Sequence, residues 1–376
     1  MDILFIGLII FILAVFAGVA AYVYRFVKRI GRNLDIHVEN RWARFGITVL
    51  GVIIFAASMS LFGIVALIVL LHFVAISMLV DVGNILIQKV KKENYSKLKI
   101  WNNIYKCCII PLVVTIATMI YGYVNMMNVV ETSYVINTGK DIRDEGYRIG
   151  LVADIHFGVS LDIEGLQEVC DEISSKDVDI MVLCGDIVDE GTSYEEMQQV
   201  FETLGTIDSE YGIYYVYGNH DRQTYRDNKS FTTEQLNEAI TSNGIKILLD
   251  ETVAINDEFT IIGRNDASFT KGTNRKSMED LLEGVDMNDF ILTLDHQPTG
   301  YEENQKAGTD LLLSGHTHAG QIWPANIFLS IVKFDDAVYG ITEMGDFKGL
   351  VTSGVAGWGF PIKTSAPAEY VIIDVQ

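Results

Sequence analysis

Five short segments of this chain carry residues that could hold metal ions and move protons. They read Ala153-Asp154-Ile155-His156, Gly185-Asp186, Gly218-Asn219-His220-Asp221, Asp295-His296 and Gly315-His316-Thr317-His318. The chain has 7 histidines; His37 and His72 lie in its apolar first third, and the other five all fall in these segments. Alternate residues of an extended segment point to one side, so Asp154 with His156, and His316 with His318, can each converge. Imidazole, carboxylate and amide oxygen form a borderline-hard ligand set suited to Mn, Fe, Zn or a similar divalent ion. Two ions about 3.5–4 Å apart need a bridging carboxylate, and Asp186, alone on its segment, is the natural bridge. One Asp-x-His is common by chance. All five segments in this order are not.

The elements that must position them follow from periodicity. Apolar runs of strand length at 148–153, 179–184, 213–217, 290–294 and 310–313 each end at one of the five segments. Helical spacing over 163–174, 194–204 and 233–242 alternates with the first three, and shorter β-type segments lie at 246–249, 252–255, 259–262, 349–353 and 370–374. This alternation predicts one α/β domain over 147–376, long enough for a sizeable core. Open α/β sheets place their sites at the carboxyl ends of strands, which is where these residues fall. Residues 131–146 are polar and aperiodic and read as a linker into that domain. The 4 cysteines show no metal-like spacing, and Cys170 and Cys184 read as buried thiols on a helix and a strand. No P-loop or G-x-S-x-G motif is present. The glycine cluster at 354–359 lacks dinucleotide spacing and reads as a loop at the rim of the site, with Trp358 and Phe360 on it.

Charge divides the chain in two. The whole carries 28 Lys+Arg and 49 Asp+Glu, a net charge of −21. Residues 1–126 hold 12 basic and 5 acidic side chains, a net of +7; residues 127–376 hold the other 16 basic and 44 acidic, a net of −28. So acidic a domain excludes general nucleic-acid binding, and the 49% hydrophobic content excludes a disordered acidic protein. The first part, 1–130, reads as a helical membrane anchor of about four spans, at 3–24, 45–61, 64–87 and 107–127, with a tight turn near residues 60–63. Its basic loops, 25–44 and 88–106, both face the cytoplasm if there are four spans. The chain is then a multi-pass protein of the cell membrane with the 147–376 domain outside the cytoplasm. His72 and Asp81 read as packing or interfacial residues, and Cys107 and Cys108 as small helix residues.

The order D-x-H, G-D, G-N-H-D, H, G-H-x-H resembles the calcineurin-like metallophosphoesterases, over residues 147 to 376. With the anchor, Asp295-His296-Gln297-Pro298 and the extended 315–321 segment, it resembles the membrane-bound bacterial branch, often related to UDP-2,3-diacylglucosamine pyrophosphohydrolases. The resemblance implies two stacked mixed β-sheets flanked by helices. It implies one ion held by Asp154, His156, Asp186 and His318, and a second by Asp186, Asn219, His296 and His316. His220 matches the position that contacts the substrate phosphate and assists the leaving group, and Asp221 is expected to orient its imidazole. The cofactors implied are two divalent cations, Mn²⁺ or else Fe, Zn, Mg or Co. The expected reaction is hydrolysis of a phosphate ester by a metal-bridging hydroxide, on a lipid or envelope phosphate or a small-molecule phosphate, with no nucleic-acid or protein partner. Two other readings are a pyrophosphohydrolase of the UDP-diacylglucosamine type and a non-catalytic metal-binding membrane sensor.

Overall fold

The computed structural model describes residues 57–269 and 275–376, with scattered positions between 18 and 46. It divides into two compact units, 1–121 and 122–376.

In the first unit, residues 57–62 are helical and stop at Gly63, whose φ of 55° breaks the helix. Helix α1 then runs Ile64–Lys91 and, after a 3₁₀ segment Lys92–Lys97, α2 covers Lys99–Lys106 and α3 Ile109–Met127. Among the described residues α1 and α3 are the two helices long and apolar enough to cross a membrane. The expected count of about four spans is therefore not what the described structure gives; the other two, at 3–24 and 45–61, lie largely outside the described residues. His72 sits in α1 with its Nδ1 2.9 Å from the Ile68 carbonyl one turn back. Asp81 pairs with Arg29 at 2.9 Å and accepts from the Tyr105 hydroxyl at 2.8 Å.

The second unit is built on two six-stranded mixed sheets. Its strands are β1 Val129–Ile136, β2 Tyr147–Val152, β3 Ile180–Cys184, β4 Ile213–Val216, β5 Ile245–Ile247, β6 Glu251–Ala254, β7 Phe259–Gly263, β8 Phe290–Leu294, β9 Leu311–Ser314, β10 Gly340–Met344, β11 Phe347–Val351 and β12 Ala368–Val375. One sheet has the order β1-β12-β2-β3-β4-β5, the other β10-β11-β9-β8-β7-β6. Strands β2 to β5 are parallel, as are β7, β8, β9 and β11; β12 runs against β2.

Strand alternation explains the layers. Along β3, Ile180, Val182 and Cys184 face the other sheet and join Ile149, Leu151, Phe259, Phe290, Leu292 and Leu313 in one core. The intervening Met181 and Leu183 face outward and meet Leu166, Val169, Met197 and Phe201 from the flanking helices. Those helices are α4 Ile163–Ser174, α5 Tyr194–Leu204 and α6 Thr233–Ser242, with α7 Met278–Leu281, α8 Tyr301–Ala307 and α9 Ala325–Val332 on later connections. A strand buried on both faces must be apolar throughout, so β3 reads as an unbroken run. Each fully buried Ile, Leu or Phe contributes about 1.5–3 kcal/mol, and together they fix the strand ends in place.

The linker expected at 131–146 needs correction. Val129–Ile136 pairs in parallel with β12 as the edge of the first sheet, and only 137–146 is irregular. An edge strand faces solvent, so it carries Glu131, Thr132 and Ser133 and shows no apolar run.

Candidate metal centre

The five segments meet at the carboxyl ends of β2, β3, β4, β8 and β9. Each turn there is sharp: Asp154, His156, Asp186, His316 and His318 all have positive φ, between 40° and 70°. Non-glycine residues reach this region at a cost of order 1–3 kcal/mol, and such strain persists where function requires it. The motif glycines permit the close approach. A Cβ on Gly218 would lie 2.2 Å from Asp186 Oδ1, and one on Gly315 2.5 Å from Asp154 Oδ2.

The side chains form two clusters, Asp154 with His156 and His318, and Asp186 with His296 and His316, each with ligand atoms within 4.8 Å of one another. The Nε2 atoms of His156 and His318 are 3.2 Å apart. His296 Nε2 is 3.1 Å from Asp186 Oδ2, and His156 Nε2 is 3.7 Å from the same oxygen. Asp186 thus stands between the clusters. Two ligands held about 2.0–2.2 Å from one ion sit about 3.0–3.5 Å apart, so the spacing suits cations. An unpartnered atom points the same way: Asn219 Oδ1 is buried without a hydrogen-bond partner, which native interiors rarely tolerate. The residues present fit two divalent ions.

Electrostatics agree for Asp186, His316 and His318, whereas at His296 the nearby Asp186 and Asp154 outweigh burial and raise the imidazole well above its ordinary value. Burial raises the Asp154 carboxyl to about 6, against the pull of His296 and His156. Burial would also raise Asp186, but His296 and His156 hold it well below the usual carboxylate range. Burial and the neighbouring His296 lower His316 to about 4, and burial and His156 lower His318. Neutral imidazole is the form that ligates a metal.

Around the ligands lies a supporting shell. The His316 backbone N–H donates to both Asp154 oxygens at 3.0 and 2.9 Å, and His220 N–H to Asp186 Oδ1 at 2.8 Å. His296 Nδ1 is 2.8 Å from the Cys184 carbonyl, which fixes the ring. Asp189 Oδ2 lies 3.6 Å from His156 Nδ1. Lys363, fully buried, donates to the carbonyls of Ser353, Gly354 and Ala356, while Val355 and Ala356 bond back to the carbonyls of Ala153 and Asp154. The 354–359 loop therefore does rim the site. Trp358, half exposed, has its ring 5.7 Å from His220.

The expected role of Asp221 is corrected. Its carboxylate accepts from the backbone N–H groups of Asp186, Ile187, Val188 and Gly218 at 2.7 to 3.2 Å, and so clamps the bridging loop. Four donors saturate a carboxylate and leave no lone pair to orient His220. Glu190 does that instead, with Oε2 2.7 Å from His220 Nδ1. Nothing in the motif spacing marks Glu190; its only signal is a second acid next to Asp189 in the loop after Gly185-Asp186. Arg264 is buried, with its Nη2 donating to the Lys276 carbonyl.

Comparison with known proteins turns this geometry into an assignment. The calcineurin-like phosphoesterase family model matches residues 147–320. A metallophosphoesterase of Bacillus subtilis is 30% identical over 53% of this chain and 69% of its own. The chain belongs to the calcineurin-like metallophosphoesterases. A Campylobacter jejuni metallophosphoesterase is 27% identical over 71% of this chain and 69% of its own length. The transmembrane protein with metallophosphoesterase domain of Danio rerio is 26% identical over 70% of this chain and 62% of its own. As a member of this family the chain is a metal-dependent phosphoester hydrolase, with candidate ligands for divalent ions in place.

Proposed function

We propose a membrane-anchored dimetal phosphoesterase acting on a lipid or envelope phosphate, with its catalytic domain outside the cytoplasm. One cation would be held by Asp154, His156, Asp186 and His318, the other by Asp186, Asn219, His296 and His316. The observation that carries this is Asp186: fully buried, on a strained turn, within reach of His156 and His296 at once. When bound, the two cations supply the positive charge that polarises phosphoryl oxygens and lowers the pKa of water.

The chain's own residues do the rest. His220 stands at the rim with Nδ1 engaged by Glu190, which leaves Nε2 as the nitrogen that can protonate a departing oxygen. Trp358 covers one side of that ring, and the exposed Tyr225, its ring centroid 5.1 Å from that of His220, another. The domain's net negative charge then reads as solvated surface, because the cations set the local charge where substrate binds.

The test is hydrolysis of soluble mono- and diesters by the full chain with Mn²⁺, compared with Asp186→Asn. Metal-dependent turnover lost in the variant supports the reading; turnover indifferent to both metal and Asp186 would sink it. Orientation has its own test. A cysteine placed at Asp144 should react with an impermeant thiol reagent in intact cells, and protection there would put the domain inside.

A further inference from the structure

We infer that helix α9 and the turn before it form a bilayer-resting face beside the active site, through which a lipid phosphate enters sideways from the membrane. This deepens the proposed function and rests on it for the identity of the chemistry.

Three observations on the catalytic unit converge. From Ile322 to Val332 the chain carries no charge, and among the residues of α9 none is buried. Ile331 is 74% exposed and Phe334 67%, with Trp323, Ile327 and Val332 also open. The large apolar side chains of this short helix stay open, with Asn326 and Ser330 on its one polar stripe; such exposure is costly in water and marks a partner or membrane surface.

The second observation fixes where that surface lies. The last residues of the membrane-length helix α3, from Gly122, belong to the catalytic unit. Gly122 accepts from Lys363 N–H at 3.0 Å, and Asn125 Nδ2 donates to the carbonyls of Lys363 and Ala366 at 2.9 and 2.7 Å. A Cβ on Gly122 would come within 2.6 Å of Thr364 Cγ2. On its other side Thr364 accepts from Trp323 N–H at 2.9 Å, at the cis Trp323-Pro324 bond that leads into α9. One residue thus joins the end of the spanning helix to the start of the apolar helix.

The third ties both to the chemistry. Gln321 leads from His318 towards α9 and donates Nε2 to the carbonyls of Trp358, Phe360 and Ile362, while its Oε1 accepts from Trp358 N–H at 2.9 Å. The same loop therefore holds the helix end, α9 and the Trp358 ring beside His220. Tryptophan and tyrosine favour the bilayer interface, and Lys333 after α9 can extend its stem along the lipid and keep its charge in water. A domain of net −28 gains nothing from anionic lipid, so apolar burial must drive the contact and added salt should change it little.

The test uses the full chain reconstituted with Mn²⁺ in phosphatidylcholine vesicles containing phosphatidic acid. A nitroxide on Ile331→Cys, with Cys107→Ser to remove the exposed native thiol, is compared with one on Lys306→Cys. Oxygen-dominated relaxation at 331 and aqueous-relaxer-dominated relaxation at 306 are expected. In parallel, Ile331→Glu with Phe334→Glu should lower phosphatidic acid turnover at least tenfold and change soluble-ester turnover less than twofold. Equal aqueous access at both labels, equal loss of both activities or loss of neither overturns the inference. So does protection of label 331 from both relaxers together with cross-linking between chains, which would make the face a contact with a second copy. If native protein hydrolyses neither ester while 331 lies in lipid, the phosphoesterase reading fails and the lipid-entry route fails with it, but the membrane face stands.

Discussion

The two ends of strand β2 are built on opposite terms. At its start Tyr147 is buried under Phe259, its hydroxyl bonded to Glu258 and Asn256, and the Arg143 guanidinium lies 4.2 Å above its ring. Arg143 also pairs with Asp179, whose second oxygen accepts from Arg148 N–H at 2.6 Å. None of these residues contributes a buried polar atom without a partner. At its other end Asp154 begins a stretch of strained turns, clustered imidazoles and orphaned oxygen and nitrogen atoms. The first end is finished by the protein alone. The second leaves polar atoms that the proposed cations would complete, so stability and function occupy opposite ends of one strand.

Breaking that contrast should cost most at the bridge. Asp186→Asn is expected to reduce hydrolysis by more than about 10²-fold, beyond what losing an outer-shell partner does, with the variant folded by circular dichroism. His220→Ala should follow at about 10²-fold or more in kcat, the range for a lost general acid, with metal content unchanged. Glu190→Gln should cost about 10–10²-fold and act through His220, so that it adds little in a His220→Ala background; independent, additive losses would show that Glu190 works elsewhere.

The remaining effects are on stability. Chelating the metal should lower the melting temperature by about 5–10 °C, the size expected for a ligand held at about a hundred times its Kd in a domain of this length. At the other end of β2, Asp179→Asn should destabilise by about 1–3 kcal/mol and leave turnover per folded molecule unchanged. A large activity loss there would erase the distinction between the two ends.

How much of this was legible follows from which interactions are local. The bounds of α4, α5 and α6 can be read directly because Asp162, Ser193 and Thr232 cap them, two with a reciprocal Glu196 or Gln235. The buried strands announce themselves as apolar runs, and the ligand residues stand at their ends. β1 escaped because an edge strand is half polar and its partner, β12, lies more than two hundred residues later. The roles of Asp221 and Glu190 escaped for a related reason. Acids look alike in sequence, and only the fold decides that Asp221 faces four backbone N–H groups and Glu190 an imidazole. The apolar run at 325–332 shows nothing by itself, since a core helix and a membrane-facing helix share one composition.

The central claim is that seven side chains hold two cations about a shared Asp186. The direct measurement is metal content per chain of the purified full-length protein, by elemental analysis after exchange into metal-free buffer, for the native sequence and Asp186→Asn alongside phosphoester turnover. The account predicts about two divalent ions in the native protein, at most one in the variant, and turnover that falls with the metal. A native chain that binds none, or hydrolyses esters equally well without it, would contradict it.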